Sequence, residues 1–272
     1  MQISIKKNHI SDFYSNNGYY SPLDAIPSDI AKNAAQKIIE IDTNSSLSLK
    51  HPWNLKAHLL ADWIYGLAAH PSVLDSVEKI IGQDILIQAA DIFVKPPKGV
   101  KKINWHQDAN YWGLDPFELV TGWIALTDAT IENGCMRYMP GTHKQNKIKH
   151  IETYAEDSAL TRGQEISIEI DEEKSIPVLL KAGQIALHHC LTAHASAPNA
   201  TEDYRIGMAV RYIPCHVRQS SGPPMSTILV RGRDEYGHFN YDPIPKNSFG
   251  VDEIAAHEHA MYPHAETNYS TA

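Results

Sequence analysis

The sequence predicts one domain with two structural regimes: a mostly helical part over residues 1–83, then a β-sandwich or barrel of short strands. Three observations carry that prediction. Apolar residues recur at helical spacing before Asp84; after it, short β-branched runs are separated by turn-forming residues; and no strand–helix alternation or glycine-rich phosphate loop is present. At 272 residues and 43% hydrophobic content the chain is long enough for one substantial core.

The helical elements come first. Pro27-Ser28-Asp29 precedes "IAKNAAQKIIEI", in which Ile30, Ala34, Ile38 and Ala31, Ala35, Ile39 recur at helical spacing behind a Ser/Asp cap. "HLLADWIYGLAAH" follows, with Leu60, Trp63, Ile64 and Leu67 on one face, and then "PSVLDSVEKIIG", which opens on proline and stops at Gly82. From Asp84 the strands begin: "DILIQAADIFVK", "LVTGWIALTDA", "ISIEI", "SIPVLL", "QIALHHC" and "RIGMAVRYIP". Pro96-Pro97, Asn133-Gly134, Pro140-Gly141 and Lys181-Ala182-Gly183 supply the turns between them. The β core is expected over 84–217, and a C-terminal segment and tail over 218–272. The tail "AAHEHAMYPHAETNYSTA" shows no periodicity, so a poorly ordered or surface-draped segment is expected, with His257, His259 and His264 solvated rather than metal-binding. The long polar stretch over 144–175 reads equally as a lid or as a solvated excursion.

Composition narrows the function classes. A net charge of -8 without a Lys/Arg block disfavours nucleic acid as a partner. No apolar leader core and no apolar run of membrane-spanning length occurs, so a cytoplasmic protein without a membrane partner is expected, and a homo-oligomer is left open. Cys135, Cys190 and Cys215 are widely spaced with no CxxC pair, which favours buried reduced thiols over disulfides or a thiolate zinc site.

The chemistry concentrates in "WHQDANYW". Residues two apart on a strand share a side, so His106 and Asp108 reach one point while Gln107 faces away. They supply two ligands of a 2-His-1-carboxylate set, which suits non-haem Fe(II) and leaves three coordination positions open. Downstream, "LHHCLTAHASAPN" offers His188, His189 and His194 for the third ligand. Arg205 opens a hydrophobic strand, where a buried guanidinium requires an anionic partner, and a carboxylate matches its planar fork best. An iron site beside a buried arginine describes a pocket for a metal-chelating dicarboxylate, and 2-oxoglutarate fits. The competing reading of Arg205 is a salt bridge to Glu202 or Asp203. Arg211, six residues on, shares its parity, and three roles stay open for it: supporting the site, touching substrate, or pairing with a core carboxylate. Tyr111, Trp112 and Tyr138 are divided between pocket lining and packing, and His143 reads as a surface side chain.

Four stretches, "WHQDANYWGLDP", "VTGWIALTDATIENGCMRYMPGTHK", "HHCLTAHASAPN" and "YRIGMAVRYIP", in that order and spacing, resemble the phytanoyl-CoA dioxygenase family of Fe(II)/2-oxoglutarate-dependent oxygenases. With the "FYSNNGYY" start, the likeness covers most of the chain and points to the bacterial branch of small-molecule hydroxylases related to the syringomycin halogenase. The resemblance implies a double-stranded β-helix, jelly-roll- and cupin-like, packed by N-terminal helices. It implies His106, Asp108 and His194 as iron ligands, since His194-Ala195-Ser196-Ala197-Pro198-Asn199 matches the distal motif. It assigns Arg205, Ser196 and Trp123 to 2-oxoglutarate, and dioxygen as the other co-substrate. His188 and His189 then fall outside the ligand set. A carboxylate at Asp108, where the halogenases carry a small residue that leaves room for halide, implies hydroxylation of an aliphatic C–H with release of succinate and carbon dioxide. The expected substrate is a small polar metabolite such as an amino acid or aminophosphonate, with Tyr111, Arg211 and Arg231 as substrate-side candidates; Arg233, His238 and Phe239 lie in the same C-terminal stretch. The alternatives are an acyl-CoA hydroxylase of the same family or a non-catalytic cupin-like binding module.

Overall fold

The computed structural model describes residues 3–44, 49–155, 157–159 and 163–268. Its first elements are α1 (Ile3–Asn17), β1 (Tyr19–Asp24), α2 (Ser28–Thr43), a 3-10 turn (Ala57–Leu59), α3 (Asp62–Ala68) and α4 (Pro71–Ile81). There follow β2 (Ile85–Lys95), β3 (Ile103–His106), α5 (Ala109–Trp112), β4 (Leu114–Asp115), β5 (Val120–Ala125), β6 (Met136–Tyr138), β7 (His150–Ile151), β8 (Glu165–Ile166) and β9 (Ile176–Pro177). The chain ends with β10 (Gln184–His189), β11 (His194–Ser196), β12 (Arg205–Pro214), β13 (Arg218–Gln219), β14 (Ser226–Arg231), β15 (Asn240–Tyr241) and α6 (Val251–Asn268).

Strand periodicity sorts the large sheet, of order β1-β10-β5-β12-β2-β14-β15, into two faces. Ile206, Met208, Val210 and Tyr212 of β12, Val120 and Ile124 of β5, and Ile185 and Leu187 of β10 pack against Ala31, Ala34, Ile38, Ile64 and Val77 of the helices. Tyr212 locks the layers by donating its hydroxyl proton to the Ala68 carbonyl at 2.7 Å. The opposite face carries Arg205, Gly207, Ala209 and Arg211 of β12 beside Thr121 and Trp123 of β5. Gly207 is required there: a Cβ would lie 2.0 Å from the Trp123 ring. A smaller antiparallel sheet, β3-β11-β6-β9, covers this second face. The result is a mainly β, double-stranded β-helix with α2, α3 and α4 packed on one face of the large sheet. No helix among the described residues is long and apolar enough to cross a membrane. All three cysteines are buried and unpaired.

Several elements differ from expectation for identifiable reasons. The large sheet reaches beyond 84–217 at both ends, because β1 adds to the edge of β10 and β14 pairs with β2. Polar, proline-containing "YYSPLD" is tolerated as a strand because it occupies an edge. On α2 the buried stripe is Ala31, Ala34, Ala35 and Ile38, Ile30 is exposed, and no side chain caps the helix. The helix expected over "HLLADWIYGLAAH" is split, since Ala61 adopts an extended conformation and bridges to Ser248. "ISIEI" contributes only Ile166 to a strand, in β8, and "SIPVLL" pairs over Ile176–Pro177 with an isolated bridge from Leu180 to Ala129. The tail, expected to be loose, forms α6. His257 is fully buried in it and donates Nε2–H to the Leu55 carbonyl at 2.8 Å, while Ala260 packs on Leu59 and Ile228. A histidine serving as a core residue hid that periodicity. His259 is exposed, and the His264 side chain lies outside the described residues.

Candidate active site

The two sheets enclose a cavity of about 60 Å³, with Phe93, Ile103, Met136 and Ala209 as apolar walls and two polar poles. At one pole β3 ends on His106 and β11 begins on His194, and the two are register partners. Asp108 follows where the strand gives way to α5. One ligating atom from each of the three lies within 4.8 Å of the others. His106 Nδ1 is bonded to the Asn104 carbonyl at 2.8 Å and His194 Nδ1 to the Thr192 carbonyl at 3.0 Å, so both rings present Nε2. Those Nε2 atoms stand 3.8 and 3.9 Å from Asp108 Oδ1. Burial pushes both imidazoles down to about 4, so each is neutral and able to ligate near pH 7. For Asp108, burial alone raises the pKa, but His194, His188 and His106 together hold the carboxyl well below the usual carboxylate range.

Behind the carboxylate, Thr121 donates its hydroxyl proton to Asp108 Oδ2 at 2.8 Å and His188 Nε2 bonds the same oxygen at 3.1 Å. His188 Nδ1 in turn meets the Tyr138 hydroxyl at 2.9 Å. His189 points to the other side of β10, where its ring packs against His143. His143 is half-buried and bonded to the Ser15 carbonyl, rather than a free surface side chain.

The other pole is cationic. Arg205 is 1% exposed, stacks 5.3 Å over the Trp123 ring, and donates from Nη2 to the Gly134 carbonyl at 2.9 Å. Its Nε is buried with no hydrogen-bond partner among the described residues. Its register partner on β2 is Lys95, whose Nζ donates to Ser196 Oγ at 2.7 Å and to the Ala197 carbonyl. Burial, then the Arg205 charge, drives Lys95 down to about 7, and burial lowers Arg205 to about 10. Among the described residues no carboxylate bears on either group. Glu202 pairs instead with Lys98, and Asp203 is exposed. Two adjacent buried basic groups with no carboxylate partner among the described residues, one of them with an unfilled donor, suit an anion.

The structure therefore gathers His106, Asp108, His194, Arg205, Ser196 and Trp123 around one cavity. Tyr111 is exposed and not in the cavity wall, its ring 6.1 Å from that of His106. Arg211 is the register partner of Thr121, but its guanidinium bonds Asp91 at 2.5 Å and Gln88 at 3.0 Å and lies over Trp112. Arg231 is not at the cavity: Asp75 and Glu78 on the exposed face of α4 hold it at 2.8 and 2.7 Å. Arg233 pairs with Glu235, His238 is exposed, and Phe239 is buried away from the ligands. The 144–175 stretch is fastened over the ligand-bearing strip through Gln107, which bonds Asn146 and Ile148, and through Trp105 Nε1 to Glu172 at 3.0 Å; residues 156 and 160–162 of it lie outside the described residues. Sequence reasoning missed Lys95 and Thr121. Parity with Arg205 across an unknown register was the signal for the first; nothing local marked the second.

The phytanoyl-CoA dioxygenase (PhyH) family pattern matches residues 30–207. The chain belongs to that family. A probable alpha-ketoglutarate-dependent hypophosphite dioxygenase of Stutzerimonas stutzeri is 28% identical over 157 residues, 57% of this chain and 54% of that one. Human peroxisomal phytanoyl-CoA dioxygenase is 26% identical over 164 residues, 58% of this chain and 48% of that one. The chain thus spans about half the length of the curated relatives it matches. Among solved structures, the non-heme monooxygenase ThoJ in its apo form superimposes with a TM-score of 0.82 at 31% identity, over 94% of this chain and 96% of that one.

Proposed function

We propose that this family member is an Fe(II)/2-oxoglutarate-dependent oxygenase that hydroxylates an aliphatic C–H of a small polar metabolite. The observation that carries the reading is the pairing of poles in one cavity: Arg205, with no carboxylate partner among the described residues and with Lys95 as its register partner behind the lining, shares the cavity with a His106–Asp108–His194 ligand set. A dicarboxylate that chelates a metal needs both. The donor set of two neutral imidazoles and one carboxylate suits Fe(II), and the unfilled Arg205 Nε suits a carboxylate. Bound Fe(II), with 2-oxoglutarate and dioxygen, would supply the oxidising power.

The protein's own contribution is placement. Arg205 and Lys95 hold the far carboxylate, Trp123 flattens the wall beside it, and Ser196 orients the Lys95 ammonium. Asp108 fills the position whose vacancy the halogenases use, which favours hydroxylation. On the substrate side, Arg211, Asp91 and Gln88 set polar groups next to Thr121, and Tyr111 borders the ligand His106, an environment suited to a charged or hydrogen-bonding metabolite.

Anaerobic titration with Fe(II) and 2-oxoglutarate tests the reading through its visible charge-transfer band. The band is expected in the parent, with 2-oxoglutarate affinity lost in Arg205→Ala. No band, or equal affinity in Arg205→Ala, would favour a cupin-like binding module. Succinate release under air across amino acids, aminophosphonates and acyl-CoAs then identifies the substrate class.

A further inference from the structure

Three buried histidines crowd the metal pole, and one of them, His188, is bonded to the Asp108 carboxylate. Resting on the assignment of His106, Asp108 and His194 as metal ligands, we propose that His188 is a positioning residue. With Thr121 it holds Asp108 so that a single carboxylate oxygen faces the metal, and Tyr138 fixes the tautomer that lets it do so.

A carboxylate has two equivalent oxygens and a soft terminal torsion, so the backbone at Asp108 does not decide which oxygen is presented. The neighbours do. Oδ2 receives both donors, the Thr121 hydroxyl at 2.8 Å and His188 Nε2 at 3.1 Å. Oδ1 is the oxygen that stands 3.8 and 3.9 Å from the Nε2 atoms of His106 and His194. The two donors are register partners on β5 and β10 of the large sheet, whereas the two ligand histidines belong to the small sheet. The spacing of the sheets therefore sets the pose of the carboxylate.

An ionised carboxylate only accepts hydrogen bonds, so His188 Nε2 carries the proton and Nδ1 accepts from Tyr138 at 2.9 Å. His188 is 1% exposed and Tyr138 fully buried, so both hydrogen bonds are shielded from bulk water. With its Nε2–H committed to Asp108, His188 is excluded as a fourth ligand even though its ring lies only 4.6 Å from that of His194. The functional consequence concerns vacancy. One-oxygen ligation leaves room for a two-point chelator and for dioxygen, whereas a carboxylate released from Oδ2 can turn to bind through both oxygens and take one of those positions.

The test is Co(II) titration of the parent, His188→Leu, His188→Gln, Thr121→Val and Tyr138→Phe, reading the visible d–d spectrum and the dissociation constant. The affinity of each Co(II)-loaded form for 2-oxoglutarate follows, with thermal unfolding of the metal-free forms as a check on folding. His188→Leu is expected to weaken Co(II) binding roughly 10- to 100-fold, to change the Co(II) spectrum and to weaken 2-oxoglutarate. His188→Gln, whose amide N–H reaches the same oxygen, restores most of the parent behaviour, which a packing role would not. A folded His188→Leu with parental Co(II) affinity and spectrum overturns the proposal. If His188→Leu does not fold, parental spectra in both Thr121→Val and Tyr138→Phe overturn it equally. A parent that binds neither Co(II) nor 2-oxoglutarate removes the ligand assignment itself, and this inference with it.

Discussion

Replacing Lys95 with methionine keeps most of the side chain's length and removes its charge. Burial and the neighbouring Arg205 lower Lys95 from 10.5 to about 7, and at 1.36 kcal/mol per unit this is a cost of roughly 4–5 kcal/mol for keeping it charged in the fold. The sign is clear: the folded value lies below the unfolded one, so the penalty is full below pH 7 and fades as pH rises toward 10.5. Methionine avoids the penalty but leaves Ser196 Oγ and the Ala197 carbonyl without their donor, about 1–3 kcal/mol each in return and independent of pH. The unfolding temperature of the metal-free variant relative to the parent is therefore expected to stand several degrees higher at pH 6.5 than at pH 9. Binding moves the other way. Loss of a charge-assisted contact worth about 1.5–3 kcal/mol predicts roughly ten- to hundredfold weaker 2-oxoglutarate binding to the Co(II)-loaded protein. In the parent that affinity should fall by up to about tenfold per pH unit above 7, and in the variant it should be flat there. Calorimetric titration at pH 6.5, 7.5 and 8.5 beside thermal unfolding reads both. A variant whose stability difference from the parent does not change with pH and which binds 2-oxoglutarate as the parent does would refute the reasoning, because Lys95 would then be a structural donor.

Two further outcomes follow from the same geometry. Burial pushes His106, His194 and His189 down to about 4 from 6.5, so the unfolded chain binds more protons between those values. Stability of the metal-free protein should fall as pH drops through that window, by up to about 1.4 kcal/mol per pH unit for each histidine; urea midpoints that stay flat from pH 6.5 to 4.5 would contradict this. Asp108→Gly removes the carboxylate but keeps the Thr121 and His188 donors that bonded it, so hydroxylation is expected to vanish and added formate to restore part of the Co(II) binding. Full hydroxylation by that variant without formate would defeat the ligand assignment.

The division between what the sequence disclosed and what it hid follows interaction range. His106 and Asp108 sit two residues apart and were legible as a pair, though β3 ends at His106 and it is the turn into α5, not strand parity, that brings Asp108 to the same side; the "HASAPN" motif and Arg205 were legible through resemblance, since nothing local picks His194 over His188 or His189. The metal pole is thus written within short segments. The cationic pole is written across β12 and β2, where Lys95 meets Arg205 only because the strands pair with that register, and a shift by one residue would turn Lys95 to the helical face. Arg231 shows the reverse failure. Sequence placed it near substrate on chemical type alone, and Asp75 and Glu78, three residues apart on α4, took its charge instead. Arg211 lies between these cases: parity put it on the cavity face, and the pairing with Asp91 followed from a β2 neighbour that parity could not see. The same logic orders the three histidines of β10 and β11. Register sets His194 opposite His106 and His188 opposite Thr121, and that difference in strand partner is what makes one a ligand and the other the holder of the carboxylate.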